Sequence, residues 1–377
     1  MSDYNNAVSG TDAEVGHVTA AKVKNTLLLD AEREEDIERA AQIIRQGGLV
    51  AFPTETVYGL GASALDADAA RRIYAAKGRP SDNPLIIHLA RAEDAEEYAV
   101  TSELYYKLAQ RFMPGPITVI LPKKDIIPLS VTGGLPTVAV RVPLNIHAHK
   151  LISAVGVPVA APSANISGRP SATCARYCLE DFDGRIDAVL DGGDAAFGLE
   201  STIVKPDGDG LRLLRPGAVT PEELSSLGVP VTVDPSVTER FEGTPEAPGM
   251  KYRHYAPRAE VIILDGADRD VYDYLRDKRD CGILCFSEDT ELLGRPGAES
   301  LGSRSDPLEQ AHLLFRLLRE FDERGDVSTI YARMPSRDGA GLAVFNRLIK
   351  AAGYRILQLP CWFVNDMLHQ SAKNYRE

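Results

Sequence analysis

Short runs of Val, Ile and Leu alternate with helix-period segments along almost the whole chain, and this alternation restricts the fold more than any other feature. The spacing predicts strands at Thr26–Leu29 and Leu49–Phe52 around a helix at Glu34–Gln46 that Gly47-Gly48 would stop. A helix capped by Asp66 and running to Ala76, a strand at Leu85–Leu89, a helix at Ser102–Phe112 and strands at Ile117–Leu121 and Thr137–Val142 follow. A helix at His147–Ala154, a strand at Val157–Ala160, a helix at Ala172–Glu180 and strands at Ala188–Leu190, Thr202–Val204 and Leu211–Leu214 complete one α/β unit. Periodicity then lapses over Val231–Arg258, where Pro235, Gly243, Pro245, Pro248, Gly249 and Pro257 leave no segment expected to pack as an element. Strands at Val261–Leu264, Cys281–Phe286 and Ser328–Ala332, with helices at Arg269–Lys278, Leu308–Arg324 and Leu342–Ala352, form a smaller unit of Rossmann-like pattern.

The expected organisation is a polar leader at 1–23, a larger domain at 24–230, a linker at 231–258 and a smaller α/β domain at 259–377. A length of 377 residues suits it, at about 150 residues per domain. Lys and Arg number 42 against 54 Asp and Glu, a net charge of −12, so nucleic acid or an anionic membrane would be repelled at long range. Any bound anion must therefore meet a locally basic cleft. Five Cys are too few for a disulfide framework and point to a reducing, cytoplasmic setting. The leader has no apolar core and no run approaches the roughly 18 apolar residues of a spanning helix, so neither secretion nor membrane insertion is expected.

Polar groups gather at the ends of the expected strands. Phe52-Pro53-Thr54-Glu55-Thr56-Val57-Tyr58-Gly59-Leu60-Gly61 leaves a strand with hydroxyls, an acid and a phenol, at the sheet edge where α/β folds place ligands. Lys77-Gly78-Arg79-Pro80-Ser81 sets two cations in an irregular loop; they either cradle a phosphate or complement the dipole of the preceding helix. Thr118 follows the turn Met113-Pro114-Gly115-Pro116, and Arg141 ends a strand. Ala161-Pro162-Ser163-Ala164-Asn165-Ile166-Ser167-Gly168-Arg169-Pro170-Ser171 offers hydroxyls, an amide and a cation at a helix entry, suited to an anion or to ordinary capping. Glu200-Ser201-Thr202 opens a strand and Arg215 closes one. Lys77, Arg79, Arg141, Arg169 and Arg215 all fall at element ends, so a shared basic pocket is expected.

Several other patterns carry less. Gly59-x-Gly61-x-x-Ala64 mimics a dinucleotide loop without the strand before it or the acid after it, and no P-loop sequence occurs. His147-x-His149 faces two ways on a helix, and Cys174-x3-Cys178 and Cys281-x3-Cys285 lie in different domains, so no metal site is expected. The Leu313, Leu314, Leu317, Leu318 and Phe321 stripe reads as core.

These motifs, in this order, resemble the YrdC/Sua5 family: Pro-Thr-Glu-Thr-Val-Tyr-Gly-Leu-Gly, Lys-Gly-Arg-Pro, Pro-Ser-Ala-Asn-x-Ser-Gly and Glu-Ser-Thr-Ile-Val, then Gly249-Met250-Lys251-Tyr252-Arg253-His254-Tyr255-Ala256-Pro257 before a second domain, as in the two-domain Sua5 branch. The resemblance implies a twisted, open mixed sheet with flanking helices. It further implies an adenylyl transfer that joins L-threonine, bicarbonate or CO2 and ATP into L-threonylcarbamoyl-adenylate, releasing pyrophosphate, for modification of adenosine 37 in tRNA. By the same resemblance Thr54, His88, Arg141 and Ser201 would hold threonine, with Tyr58 closing the pocket. Lys77, Ser81, Thr118, Ser163, Asn165, Ser171 and Arg215 would contact the nucleotide, with Lys77 and Arg79 as the catalytic cations. Mg2+ would ride on the phosphates with few protein ligands. Lys251, Tyr252, Arg253, His254 and Tyr255 suit a lid over the nucleotide, or else an extended spacer. Hand-over to a transferase of the Kae1/TsaD kind is implied; stable nucleic-acid binding is not expected. Carbamoyl-adenylate handling as in hydrogenase maturation, and double-stranded RNA binding, are the alternatives.

Overall fold

The computed structural model describes residues 25–360 apart from 253 and 295, so the expected leader lies outside the described residues. In the larger domain the strands are β1 (Leu27–Asp30), β2 (Val50–Phe52), β3 (Gly59–Ser63), β4 (Ile86–His88), β5 (Ile117–Pro122), β6 (Thr137–Arg141), β7 (Val159–Ala160), β8 (Ala188–Asp191), β9 (Thr202–Asp207), β10 (Gly210–Arg215) and β11 (Val231–Val233). They form one mixed sheet in the order β1-β8-β2-β3-β7-β4-β6-β5-β9-β10-β11. The smaller domain carries β12 (Glu260–Asp265), β13 (Gly282–Cys285), β14 (Ala298–Ser300), β15 (Thr329–Arg333) and β16 (Ile356–Gln358), in the order β14-β13-β15-β12-β16 with every pairing parallel.

Local chemistry accounts for the element ends. The Asp66 carboxylate accepts from the Asp68 and Ala69 N–H groups and starts helix Ala67–Lys77. Gly78, at φ 61°, stops it; nothing crowds the place of its absent Cβ, so the left-handed backbone alone calls for glycine, and the chain turns at once from Lys77 to Arg79. Ser102 and Asn145 likewise cap helices Glu103–Phe112 and Ile146–Val155.

Two expectations fail. Strand β3 begins inside the Phe52–Gly61 motif, where no strand is expected. Its glycines are required because a Cβ at Gly61 would stand 2.8 Å from the Phe52 ring and 2.9 Å from Val159, and so few β-branched residues conceal a strand. The expected linker also begins with structure: Val231–Val233 pairs parallel with β10, a 3-10 turn follows at Pro235–Val237, and Val237, Ala247, Met250 and Tyr255 are buried.

A single apolar cluster runs through both sheets, from Leu60 and Ile87 to Ile263, Leu314 and Phe315. Each such side chain contributes roughly 1.5–3 kcal/mol on burial. Helix Pro307–Arg324 turns its apolar stripe inward as expected, and all eleven residues of helix Gly341–Ala351 are buried.

Candidate active site

Strands β4 and β6 run parallel with His88 opposite Arg141 at their ends, and across β5 the strand β9 begins, antiparallel to β10, which ends at Arg215. There the larger sheet frames a hollow at its strand ends, where α/β folds place ligands. Thr54, Tyr58, Lys77, Arg79, His88, Arg141, Ser163, Asn165, Ser201 and Arg215 line it, and Pro248, Gly249, His254 and Tyr255 close it from the segment between the domains.

One wall is fully buried and internally bonded. Arg141 Nη2 donates to Glu55 Oε1 at 2.7 Å, while its buried Nε has no partner. The Thr54 hydroxyl donates to the Val57 carbonyl and accepts from the Thr56 and Val57 N–H groups, a local turn that fixes the loop after β2. Ser201 Oγ lies 2.8 Å from Thr118 Oγ1, and Arg215 donates to it from Nη2 at 3.1 Å and to the Ser201 carbonyl from Nε at 3.0 Å. The Tyr58 hydroxyl donates to the Gly193 carbonyl and accepts from Gly192 N–H, so the ring forms a floor.

Elsewhere in the lining, cations sit on backbone carbonyls. Lys77 Nζ donates to Ser163 O at 2.5 Å and to Asn165 O; Ser163 and Asn165 are joined through their side chains at 2.6 Å. Arg79 donates from Nε to Asn83 O at 3.1 Å and from Nη2 to Pro84 O at 2.9 Å. Neither Lys77 nor Arg79 forms an ion pair among the described residues.

A family model described as "Telomere recombination" matches residues 42–217, and one described as "Threonylcarbamoyl-AMP synthase, C-terminal domain" matches residues 219–353. A threonylcarbamoyl-AMP synthase of Pyrococcus abyssi is 47% identical over 337 residues, covering 87% of this chain and 98% of the relative. This chain belongs to the Sua5/YciO/YrdC family. A Bacillus subtilis threonylcarbamoyl-AMP synthase is 43% identical over 331 residues, covering 86% of this chain and 95% of the relative. The crystal structure of P. abyssi Sua5 complexed with L-threonine is similar at a TM-score of 0.82 and 45% identity, covering 89% of this chain and 100% of that one.

In this Sua5-family hollow, burial governs the charges. Burial, and then the Arg79 charge, pushes the Lys77 ammonium well below its usual value. Burial brings Arg79 and Arg215 down to about 10, which leaves both cationic at neutral pH. Burial and then Arg141 lower His88 to about 3, so its imidazole is neutral. His254 is held neutral by burial and by the cations Arg79, Lys350, Lys77 and Arg215, and its buried Nε2 has no partner. Burial alone would raise the Glu200 carboxyl, but Arg347, Arg215 and the Ser171 hydroxyl outweigh it and hold it below its usual value.

The expected site residues divide accordingly. Arg169 does not join the basic pocket: its guanidinium pairs with Asp181 and approaches Asp322 at 4.0 Å, so it bridges toward the smaller domain. Ser81 is exposed and does not line the hollow. Thr118 and Ser171 stand behind the lining, bonded to Ser201 and Glu200. Lys251 and Tyr252 hold Asp82 on the outside of the segment, whereas His254 and Tyr255 face inward; Arg253 lies outside the described residues. Sequence reading missed Glu55, Glu200 and Arg347. The first two stand inside quoted motifs, and their signal was an acid within an otherwise neutral run.

No group of three or more His, Cys, Asp or Glu side chains able to hold a metal ion occurs among the described residues. His147 Nδ1 lies 3.0 Å from the Ala31 carbonyl, and Cys178, Cys281 and Cys285 are buried. No described helix is long and apolar enough to cross a membrane.

Proposed function

We propose that this chain is a threonylcarbamoyl-AMP synthase, which joins L-threonine, bicarbonate or CO2 and ATP into L-threonylcarbamoyl-adenylate and releases pyrophosphate. One observation carries the reading: Arg141 and the basic groups Lys77, Arg79 and Arg215 line a single hollow, which suits an amino-acid carboxylate and a triphosphate bound together. Arg141, oriented by Glu55 and with its Nε unpartnered, suits the amino-acid carboxylate. Ser201, Thr54 and neutral His88 surround it, and Tyr58 limits the room for the side chain. Lys77, Arg79 and Arg215 supply positive charge where a triphosphate would lie.

The threonine amine bonds to carbon dioxide, losing a proton to solvent, and gives a carbamate. A carbamate oxygen then attacks the α-phosphorus in line, and the bond from that phosphorus to the pyrophosphate oxygen breaks. Negative charge grows on the departing group, beside the three cations. Mg2+ belongs to this scheme as part of the nucleotide substrate. The carboxylate that lines the hollow, Glu200, is engaged by Arg347 and Ser171, and Glu55 behind the lining by Arg141, which suits a metal carried on phosphate oxygens. No side chain is assigned as general base; positioning and electrostatics do the work. The segment Gly249–Pro257 acts as the lid, with His254 and Tyr255 toward the nucleotide. The labile adenylate passes to a transferase of the Kae1/TsaD kind for tRNA modification, and the sparse cysteines suit a cytoplasmic setting.

The test is pyrophosphate release with mass-spectrometric detection of the adenylate. Release that requires both threonine and bicarbonate supports the reading. Release without threonine favours carbamoyl-adenylate handling, and salt-sensitive RNA binding without release favours an RNA-binding module.

A further inference from the structure

Helix Gly341–Ala351 belongs to the smaller domain, yet three of its polar side chains are buried against the larger one and the strap. Asn346 Nδ2 donates to the Val237 carbonyl at 2.6 Å, and Lys350 Nζ donates to the Gly249 carbonyl. Between them lies Arg347, with no exposed surface. Its Nε donates to Glu200 Oε2 at 2.7 Å, its Nη2 to the Glu200 carbonyl at 3.2 Å and its Nη1 to the Pro216 carbonyl at 2.9 Å. Glu200 immediately precedes Ser201, and Pro216 immediately follows Arg215. These two stretches touch: a Cβ on Gly217 would stand 2.4 Å from the Thr202 nitrogen and 2.8 Å from the Glu200 carbonyl oxygen. The Tyr255 ring of the strap lies 5.6 Å from the Arg347 guanidinium carbon.

We infer that Arg347 is a positioning residue for adenylate formation, through which the smaller domain sets the Ser201 and Arg215 side chains without touching substrate. The inference rests on the proposed activity. The guanidinium is a planar fork that meets one carboxylate and two carbonyls at once, and a lysine ammonium, as a point charge, cannot span them. It also neutralises Glu200. Without it the buried Glu200 carboxylate would lean on its remaining basic neighbours, Arg215 foremost, whose charge already helps to hold it ionised, with Lys350 and Lys77 beyond. Glu200 would then draw Arg215 away from Ser201, opening the wall where threonine and the α-phosphate meet. Displacements of about 1 Å at reacting groups can cost on the order of 10²-fold in rate.

The experiment compares wild type, R347K, R347M and E200Q/R347M by threonine-dependent pyrophosphate release, well below each protein's thermal midpoint. R347M is expected to lower kcat by on the order of 10²-fold and to raise the threonine KM. R347K is expected to lower kcat by about 10-fold with nearly the wild-type melting temperature, since charge is kept and geometry is lost. E200Q/R347M should recover part of the rate lost in R347M, because the neutral amide no longer competes for Arg215. A purely structural role predicts the opposite: lower melting temperatures with wild-type kcat and KM, and no recovery in the double variant. That outcome overturns the inference. Should R347M fail to fold, R347K decides by the same criterion. A wild-type protein that forms no threonylcarbamoyl-adenylate refutes the activity itself, whereas active wild type with unaffected variants refutes only the role of Arg347.

Discussion

The wall of the hollow and the strap that covers it are built on opposite terms. In the wall, Arg141 and Glu55 form an ion pair with side chains only 5% and 6% exposed, and Ser201, Thr118 and Arg215 are locked by buried hydrogen bonds. The strap is fixed on its outer side by Lys251 and Tyr252 on Asp82, a pair whose Lys and Asp side chains keep 33% and 42% of their exposure. Breaking a buried pair from one side costs about 3–5 kcal/mol, while an exposed pair is worth about 0–1 kcal/mol. The wall is therefore preorganised, whereas the outer clasp of the strap adds little to its hold, which comes mainly from the buried Met250, Tyr255 and the Lys350–Gly249 bond.

The largest test of this contrast removes the strap. Deleting Gly249–Pro257 is expected to abolish adenylate formation while circular dichroism still shows folded α/β structure; unchanged turnover would refute the lid. Next, R141M should lower kcat/KM for threonine by on the order of 10²–10³-fold, measured by threonine-dependent pyrophosphate release, and should cost about 3–5 kcal/mol in denaturant unfolding by stranding Glu55.

A smaller effect comes from His88. Its folded value of about 3 lies below the ordinary 6.5, so between these two the unfolded chain binds the proton that the folded chain refuses. Its contribution to stability is therefore lost as pH falls through 6.5 toward 3, at up to roughly 1.4 kcal/mol per pH unit. Comparing the pH dependence of unfolding in wild type and H88Q checks it: a parallel pair of curves would show that His88 titrates normally.

The smallest expected change is at Asp82. D82N loosens the outer clasp and should shift kcat by no more than about 5-fold, with stability nearly unchanged. A 10²-fold loss would mean that the clasp is part of the rigid wall.

Much of this architecture was legible because strand and helix periods survive in a single sequence: helix Ala67–Lys77 and its Asp66 cap stand within a residue of expectation. Strand β3 escaped because glycine leaves no side-chain pattern, its space being filled by Phe52. Strand β11 escaped because a three-residue edge within a Pro-rich stretch has no period to read. At the site, element ends located Lys77, Arg79, Arg141 and Arg215, but the same logic misplaced Arg169, whose acid partner Asp181 is visible only in three dimensions. Arg347 was invisible for a related reason. An arginine within a helix reads as solvated until a second domain is seen to cover it.

Helix Gly341–Ala351, buried on every side, has a further meaning for the chain as a whole. Each sheet keeps apolar clusters of its own, but the largest, from Leu60 to Phe315, is divided between them. Cutting the polypeptide after the larger sheet would bare an oily scar and strand Glu200 without its Arg347 counter-ion. What looks like two beads on a string is a pair of nuts pressed together along one shared kernel.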